Sequence, residues 1–252
     1  MNKQMIALLA AGFLIVGGAV GASRPGDQDS PWIELVGEDE LGAWKAPHGQ
    51  WRIGGDAQPN PKDPQRLIAT AGRGVIVNGP TGKTTNLFTS RDFGDIEAHF
   101  EFLIPKGSNS GVKLEGLYEI QIIDSHAKTK LDGADCGGIY PRAEMLPRYH
   151  HTDQGVPPRV NAARPAGEWQ TLDIVFRAPR FDSQGNKTRD ARFERVVLND
   201  KVIHENVDVK YPTGHYYHMK ERPRGPIMLQ ADHGPVAFRK LRVRELSPAT
   251  TN

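Results

Sequence analysis

A single cysteine, Cys136, occurs in the 252 residues. That excludes an intramolecular disulfide framework and any cysteine-rich zinc or iron–sulfur centre. Net charge is almost absent as well. Lys and Arg number 32 against 30 Asp and Glu, with the signs interspersed, so no electrostatic case exists for nucleic acid, and a small neutral or weakly charged ligand fits better. No segment keeps a helical period for three turns, no internal repeat is visible, and no second-domain boundary follows residue 30. The length suits one large domain with a single core. With 38% hydrophobic residues and 25% charged ones, the bulk of the chain is globular rather than disordered.

Long apolar runs are also lacking, with one exception at the N-terminus. Lys3 precedes an apolar and small-residue run from Met5 to Val20, and Val20-Gly21-Ala22 has the small-residue pattern of a cleavage site. Residues 1–22 are therefore expected to be a signal peptide, 23–31 a linker, 32–246 the folded domain and 247–252 a tail. The alternative is an uncleaved membrane anchor, disfavoured because the run is shorter than the ~20 residues a span needs. No Cys follows it to take a lipid. Either way the working part is expected outside the cytoplasm, secreted or periplasmic.

What is present in quantity is punctuation: 27 Gly and 19 Pro separate short extended runs. The clearest is 95–104, where Ile96, Ala98, Phe100, Phe102 and Ile104 alternate with Asp95, Glu97, His99 and Glu101. That pattern predicts a strand with one buried face. Similar runs span 66–70, 74–78, 111–115, 118–124, 169–177, 191–199, 201–204, 226–230 and 237–246. Short strands with few helices to cross between parallel partners predict an all-β, antiparallel two-sheet sandwich. Residues 181–190 read as a hairpin tip and Asn199-Asp200 as a tight turn. Two long connections, 125–166 and 210–225, are rich in Gly, Pro, His and Arg, and long loops of a compact domain are often functional.

On the 118–124 strand, Glu119 and Gln121 point to one face and Tyr118, Ile120 and Ile122 to the other. Asp124 follows at the strand end, where a bulge would bring it onto the polar face. Lys113 and Glu115 share a face of the preceding strand. Read on spacing alone, such a face is either plain solvent-exposed surface or the floor of a polar cleft. His233, between Asp232 and a Gly turn, is either a structural turn histidine or a ring oriented by Asp232. His126, His150, His151, His215 and His218, with Asp124, Asp135 and Asp153, invite a divalent-metal reading, although their spacing matches no compact zinc motif. Trp169 reads as a core anchor rather than a sugar platform. Tyr140, Tyr149, Tyr216 and Tyr217 lie in the long connections, where they either stack on sugar rings or simply pack. Cys136 has no neighbouring His in sequence and is not expected to be a nucleophile.

Asn109-Ser110-Gly111, Tyr118-Glu119-Ile120-Gln121-Ile122-Ile123-Asp124, Gly137-Gly138-Ile139-Tyr140, Gly167-Glu168-Trp169-Gln170, Asn199-Asp200, Gly225-Pro226-Ile227-Met228-Leu229-Gln230, His233-Gly234-Pro235-Val236 and Phe238-Arg239 resemble, in order, the pattern of the 3-keto-disaccharide hydrolase domain. The resemblance covers about residues 32–246. It implies a concanavalin-like jelly roll with a carbohydrate cleft, a carbohydrate substrate, and a cleft-facing Glu119 and Gln121. Related sandwich glycosidases place carboxylates on alternate residues of one strand; here the second such position is Gln121, which argues against a two-carboxylate mechanism. The family name implies different chemistry. A carbonyl at C3 acidifies the hydrogen at C2, so a base removes it and the group at C1 leaves, with water adding afterwards. This needs a base, a group on the C3 oxygen and an acid at the leaving group. Glu119 is then the candidate base, Lys113 or Arg239 the partner of the C3 oxygen and His233 the acid. Gln121, Asp124, Tyr140, Gln230, Arg239 and Asn109 are candidate substrate contacts. A bound divalent ion would serve the same elimination as a Lewis acid. The second reading is a non-catalytic, lectin-like module on the same fold.

Overall fold

The computed structural model describes residues 30–37 and 41–247. The apolar run expected to be a leader therefore lies outside the described residues. Among the described residues no helix is long and apolar enough to cross a membrane.

In chain order the strands are β1 (Ile33–Glu34), β2 (Arg52–Gly54), β3 (Ala57–Asn60), β4 (Asp63–Ala69), β5 (Val75–Val77), β6 (Leu87–Phe88), β7 (Ile96–Leu103), β8 (Asn109–Leu114) and β9 (Tyr118–Ile123). They continue as β10 (Ala143–Glu144), β11 (His150–His151), β12 (Gln170–Arg177), β13 (Arg180–Phe181), β14 (Lys187–Arg189), β15 (Ala191–Leu198), β16 (Lys201–Val209), β17 (Met228–Leu229) and β18 (Ala237–Glu245). One 3-10 turn, His215–His218, interrupts them. The protein is an all-β jelly roll.

An eight-stranded sheet runs in the order β16, β15, β12, β7, β18, β5, β2, with β1 also paired to β18, and a four-stranded sheet runs β6, β17, β8, β9. All these pairings are antiparallel. The alternation on β7 does what its period predicts. Ile96, Ala98, Phe100 and Phe102 are buried in the main core, while Glu97 pairs with Arg244 and Glu101 with Arg239 and Lys240 on the opposite face. Val112, Leu114, Tyr118, Ile120 and Ile122 of the smaller sheet join the same core. Each such buried side chain contributes on the order of 1.5–3 kcal/mol. A smaller cluster, Ala57, Leu67, Val75, Val77, Leu103 and Ala237, forms where the β3–β4 hairpin covers the other face of the large sheet. Half-buried Trp169 packs against it beneath the Arg239 guanidinium, so it anchors this satellite cluster rather than the main core.

The core uses one face of the four-stranded sheet, which leaves the other face for the cleft. The two long connections fold over that face and wall it. The first is pinned by Gln121, whose N–H donates to Gly138 O while its carbonyl accepts from Gly137 N–H, and by Tyr140 N–H to Glu119 O. The second is pinned by Thr213, whose hydroxyl donates to Leu117 O and accepts from Glu119 N–H.

Candidate active site

On β8 and β9 the antiparallel register sets Lys113 opposite Glu119 and Gly111 opposite Gln121. Directly paired side chains on one face of such a ladder lie within reach of each other. Lys113 Nζ accordingly meets Glu119 Oε2 at 2.6 Å. Lys113, Glu119 and Gln121 are each only 2–3% exposed. The polar face is thus a closed floor and not open surface, and a buried charge pair of this kind persists only because each charge has the other. Gly111 makes the room: a Cβ there would lie 2.3 Å from Glu119 Oε1. Gln121 Oε1 accepts the N–H of Ile122, which turns its amide NH2 group into the donor available to a ligand.

These residues floor a cavity of about 510 Å³, also lined by Asn86, Asn109, Tyr140, Met145, Tyr149, Gly214, His215, Tyr216, Gln230, Asp232 and His233. That is ample for a sugar ring and an attached group. Gly214, at φ 62°, brings the second connection down onto the floor: a Cβ there would lie 3.8 Å from Lys113 Nζ and 3.9 Å from the rings of Tyr140 and Tyr216. The Lys113 ammonium sits 4.6 Å from the Tyr216 ring centroid, a cation–π contact, and His215 stacks on Tyr216 at 4.4 Å. Although the residue is exposed, partial desolvation first, then the Lys113 charge, hold the His215 pKa below its ordinary value, which favours the neutral imidazole. Across the cavity Tyr140 Oη lies 3.0 Å from both Tyr149 Oη and His151 Nε2. Burial and the Tyr149 bond push the Tyr140 pKa up, so it remains a protonated phenol. At the rim His233 Nδ1 is 2.6 Å from Asp232 Oδ1, which orients the ring. Asn109 contributes a buried Oδ1 with no hydrogen-bond partner in the protein, an acceptor awaiting a donor.

Seven of the nine residues singled out from the sequence meet here: Glu119, Lys113, His233, Gln121, Tyr140, Gln230 and Asn109. Two do not. Arg239 belongs to β18 of the other sheet, where Nε pairs with Glu101 at 2.6 Å and the guanidinium covers Trp169. Alternation gives a strand's faces but not the sheet it joins. Asp124 does not bulge onto the floor; its Oδ2 instead accepts Gly107 N–H at 2.9 Å and ties down the loop before β8. Glu115 leaves the face it was expected to share with Lys113, because it occupies the β8–β9 turn at φ 56°. Its buried carboxyl has no hydrogen-bond partner, and burial pushes its pKa up to about 9. Cys136 is buried and its thiol is pushed up to about 12, so it carries no reactive thiolate.

Sequence reasoning did not give Asn86, Met145 or Asp232 a place of their own in the cleft, and it considered His215 only as a metal ligand. Among the described residues no three His, Cys, Asp or Glu side chains converge to hold a metal. His126 bonds to Ala163 O, His150 to Arg148 O and His151 to Tyr140, so the loop histidines are directed to separate partners.

The domain model of 3-keto-alpha-glucoside-1,2-lyase-like proteins matches residues 31–244. A protein from Parabacteroides distasonis ATCC 8503, assigned as a glycosyl hydrolase, is 25% identical over 87% of this chain and 84% of its own, with a TM-score of 0.61. A second protein of that organism, with the same assignment, is 18% identical over 86% of this chain and 100% of its own, with a TM-score of 0.55, and shares the fold. No curated protein matches. With a carbohydrate-sized polar cleft on a jelly roll and a domain match over nearly all of the described residues, the chain belongs to the family of 3-keto-alpha-glucoside-1,2-lyase-like domains and is a carbohydrate-active protein of the hydrolase and lyase kind.

Proposed function

We propose that the protein cleaves 3-keto-glycosides by deprotonation at C2 and elimination at C1, and that it does so outside the cytoplasm, as the leader-like residues 1–22 suggest. One observation carries the reading: the cleft floor bears a buried Lys113–Glu119 pair with Gln121, not a second carboxylate, on the same face. A retaining glycosidase needs two carboxyl groups flanking the bond. An elimination needs one base and a cation near the oxygen that gains charge.

Glu119 takes the C2 proton. The C–H electron pair becomes the C2–C3 double bond, and the negative charge moves to the C3 oxygen, beside the Lys113 ammonium. As the C3 carbonyl reforms, the pair shifts to C1–C2 and the C1–O bond breaks toward the departing oxygen, which receives a proton from His233 held by Asp232. Water adding across the resulting enone gives the free 3-keto sugar. Gln121, Gln230 and the unpartnered Asn109 Oδ1 meet the sugar hydroxyls, and the Tyr140 and Tyr216 rings flank it. His215 is a second candidate base, favoured by the neutral imidazole that partial desolvation and Lys113 support.

The test is release of the C1 group from 3-keto-trehalose beside unoxidised trehalose, with parent protein and the Glu119→Gln and His215→Ala variants. Release only from the keto sugar is expected, with kcat lowered about 100-fold or more in Glu119→Gln, the scale of a lost general base. Retained turnover in Glu119→Gln with loss in His215→Ala moves the base to His215. Sugar binding without release by the parent makes the protein a lectin-like module. A chelator arm reads whether a divalent ion takes part.

A further inference from the structure

Seven large hydrophobic side chains are exposed among the described residues, and three of them, Met145, Leu146 and Tyr149, fall within five consecutive positions. That segment belongs to the first cleft-walling connection, and Met145 and Tyr149 line the same cavity as Lys113 and Glu119. Leu146 is 80% exposed. A single exposed apolar residue needs no explanation, but apolar side chains gathered beside a polar pocket mark a binding surface.

The cavity is also unequal in chemistry. Its floor and the β17 end offer Asn86, Asn109, Gln121, Gln230 and Asp232. On the loop side Tyr140 Oη is already engaged by the Tyr149 hydroxyl and by His151 Nε2, Met145 lines the cavity beside them, and Leu146 stands exposed next to it. A second sugar ring on that side would bring several hydroxyls to a wall with few free polar groups, and each unpaired one would cost free energy. An alkyl or aryl group would instead bury apolar area on both partners.

We infer that the Met145–Tyr149 segment forms a subsite for an apolar aglycone, so that the substrates favoured are 3-keto-glycosides of apolar alcohols or phenols rather than disaccharides. The inference rests on the reading above, in which the sugar ring lies against the floor and its C1 substituent points outward.

Alkyl 3-keto-α-glucosides carrying methyl, butyl and hexyl groups test it, because lengthening the chain leaves the departing alcohol almost unchanged in acidity. kcat/KM is expected to rise by roughly twofold per methylene, about half the gain of full burial. Leu146→Ser, a substitution of an exposed residue that leaves the fold intact, is expected to lower the hexyl-to-methyl ratio severalfold. A flat series in the parent, or a slope that Leu146→Ser leaves unchanged, overturns the subsite. If no keto compound is cleaved, the catalytic reading fails separately. Calorimetric binding of the unoxidised alkyl glucosides then decides the subsite alone, with affinity rising with chain length in support and flat affinity against. A parent that sediments as a dimer and a Leu146→Ser variant that sediments as a monomer assign the patch to a second copy and overturn the inference.

Discussion

At the scale of single residues the cleft floor depends on a missing side chain. Glu119 fits beneath the cavity because Gly111 leaves space across the strand pair, and a methyl group there would fall 2.3 Å from Oε1 and 3.1 Å from Cδ. The atom in the way is the end of a flexible side chain, so the backbone need not move. Gly111→Ala is therefore expected to keep the fold, with a thermal midpoint within a few degrees of the parent, while displacing the carboxylate by about 1 Å. Misplacement of that size costs about 100-fold in turnover. Kinetics on the keto sugar beside thermal unfolding check it, and parental activity in Gly111→Ala would mean that Glu119 does not act from this position. The functional residues were unevenly legible for the same reason. Glu119 and Gln121 could be read from period-two alternation, which is local. The role of Gly111 could not, because it arises from a contact between strands, and Arg239 misled because its pairing with Glu101 is also a matter of register.

At the scale of elements the cleft is built by loops held against strands, and the hold on the second connection is asymmetric. Thr213 fixes its start to Leu117 and Glu119. Farther along, Glu221 accepts from the buried Tyr118 hydroxyl and pairs with Lys187 at 2.9 Å. Tyr118 and Glu119 are consecutive on β9, so one side chain anchors the loop while the next forms the floor. Glu221→Ala leaves the Tyr118 hydroxyl buried without its acceptor, at a cost of about 1–3 kcal/mol. The expected result is faster hydrogen exchange confined to about residues 211–219 with β7 unchanged, together with a higher KM, since the His215–Tyr216 wall loosens. Exchange that rises uniformly across the chain would show a general loss of stability instead. The long strands were readable as elements because each carries several turns of alternation. The two-residue strands β6, β10 and β11 carry none, and the β3–β4 hairpin is disguised by Pro59 and Pro64. On β16 the strand runs on to Val209, past the expected end at His204, because Asn206 at φ 54° breaks the alternation without ending the pairing.

At the scale of the whole molecule a buried histidine is one of the links between the large sheet and the cleft. His204 on β16 is 1% exposed, and its Nε2–H donates to Gly137 O at 2.7 Å. Gly137 N–H in turn donates to Gln121 O on the cleft floor strand. The sheet edge, the first connection and β9 are thus linked in series. Burial, opposed by the Gly137 bond, holds the His204 pKa below its ordinary 6.5. The unfolded chain therefore binds this proton before the folded one does. The His204 contribution to stability is complete above about pH 6.5 and falls as pH drops through that value toward the folded pKa, by at most ~1.4 kcal/mol per pH unit. Carboxylates held low add their own loss below about pH 5, and Glu115, raised to about 9, acts in the opposite direction across the whole range, so the histidine is read as the difference between the parent and a variant without the ring. Urea unfolding midpoints across pH 5–8 check it: from about pH 6.5 down to 5 the parent should lose stability relative to His204→Gln, which keeps a donor for Gly137 without a titrating ring. His215 is lowered in the same direction but is exposed, so its effect belongs to activity rather than stability. Equal slopes in parent and His204→Gln would place the acid sensitivity elsewhere and remove His204 as a link between sheet and cleft.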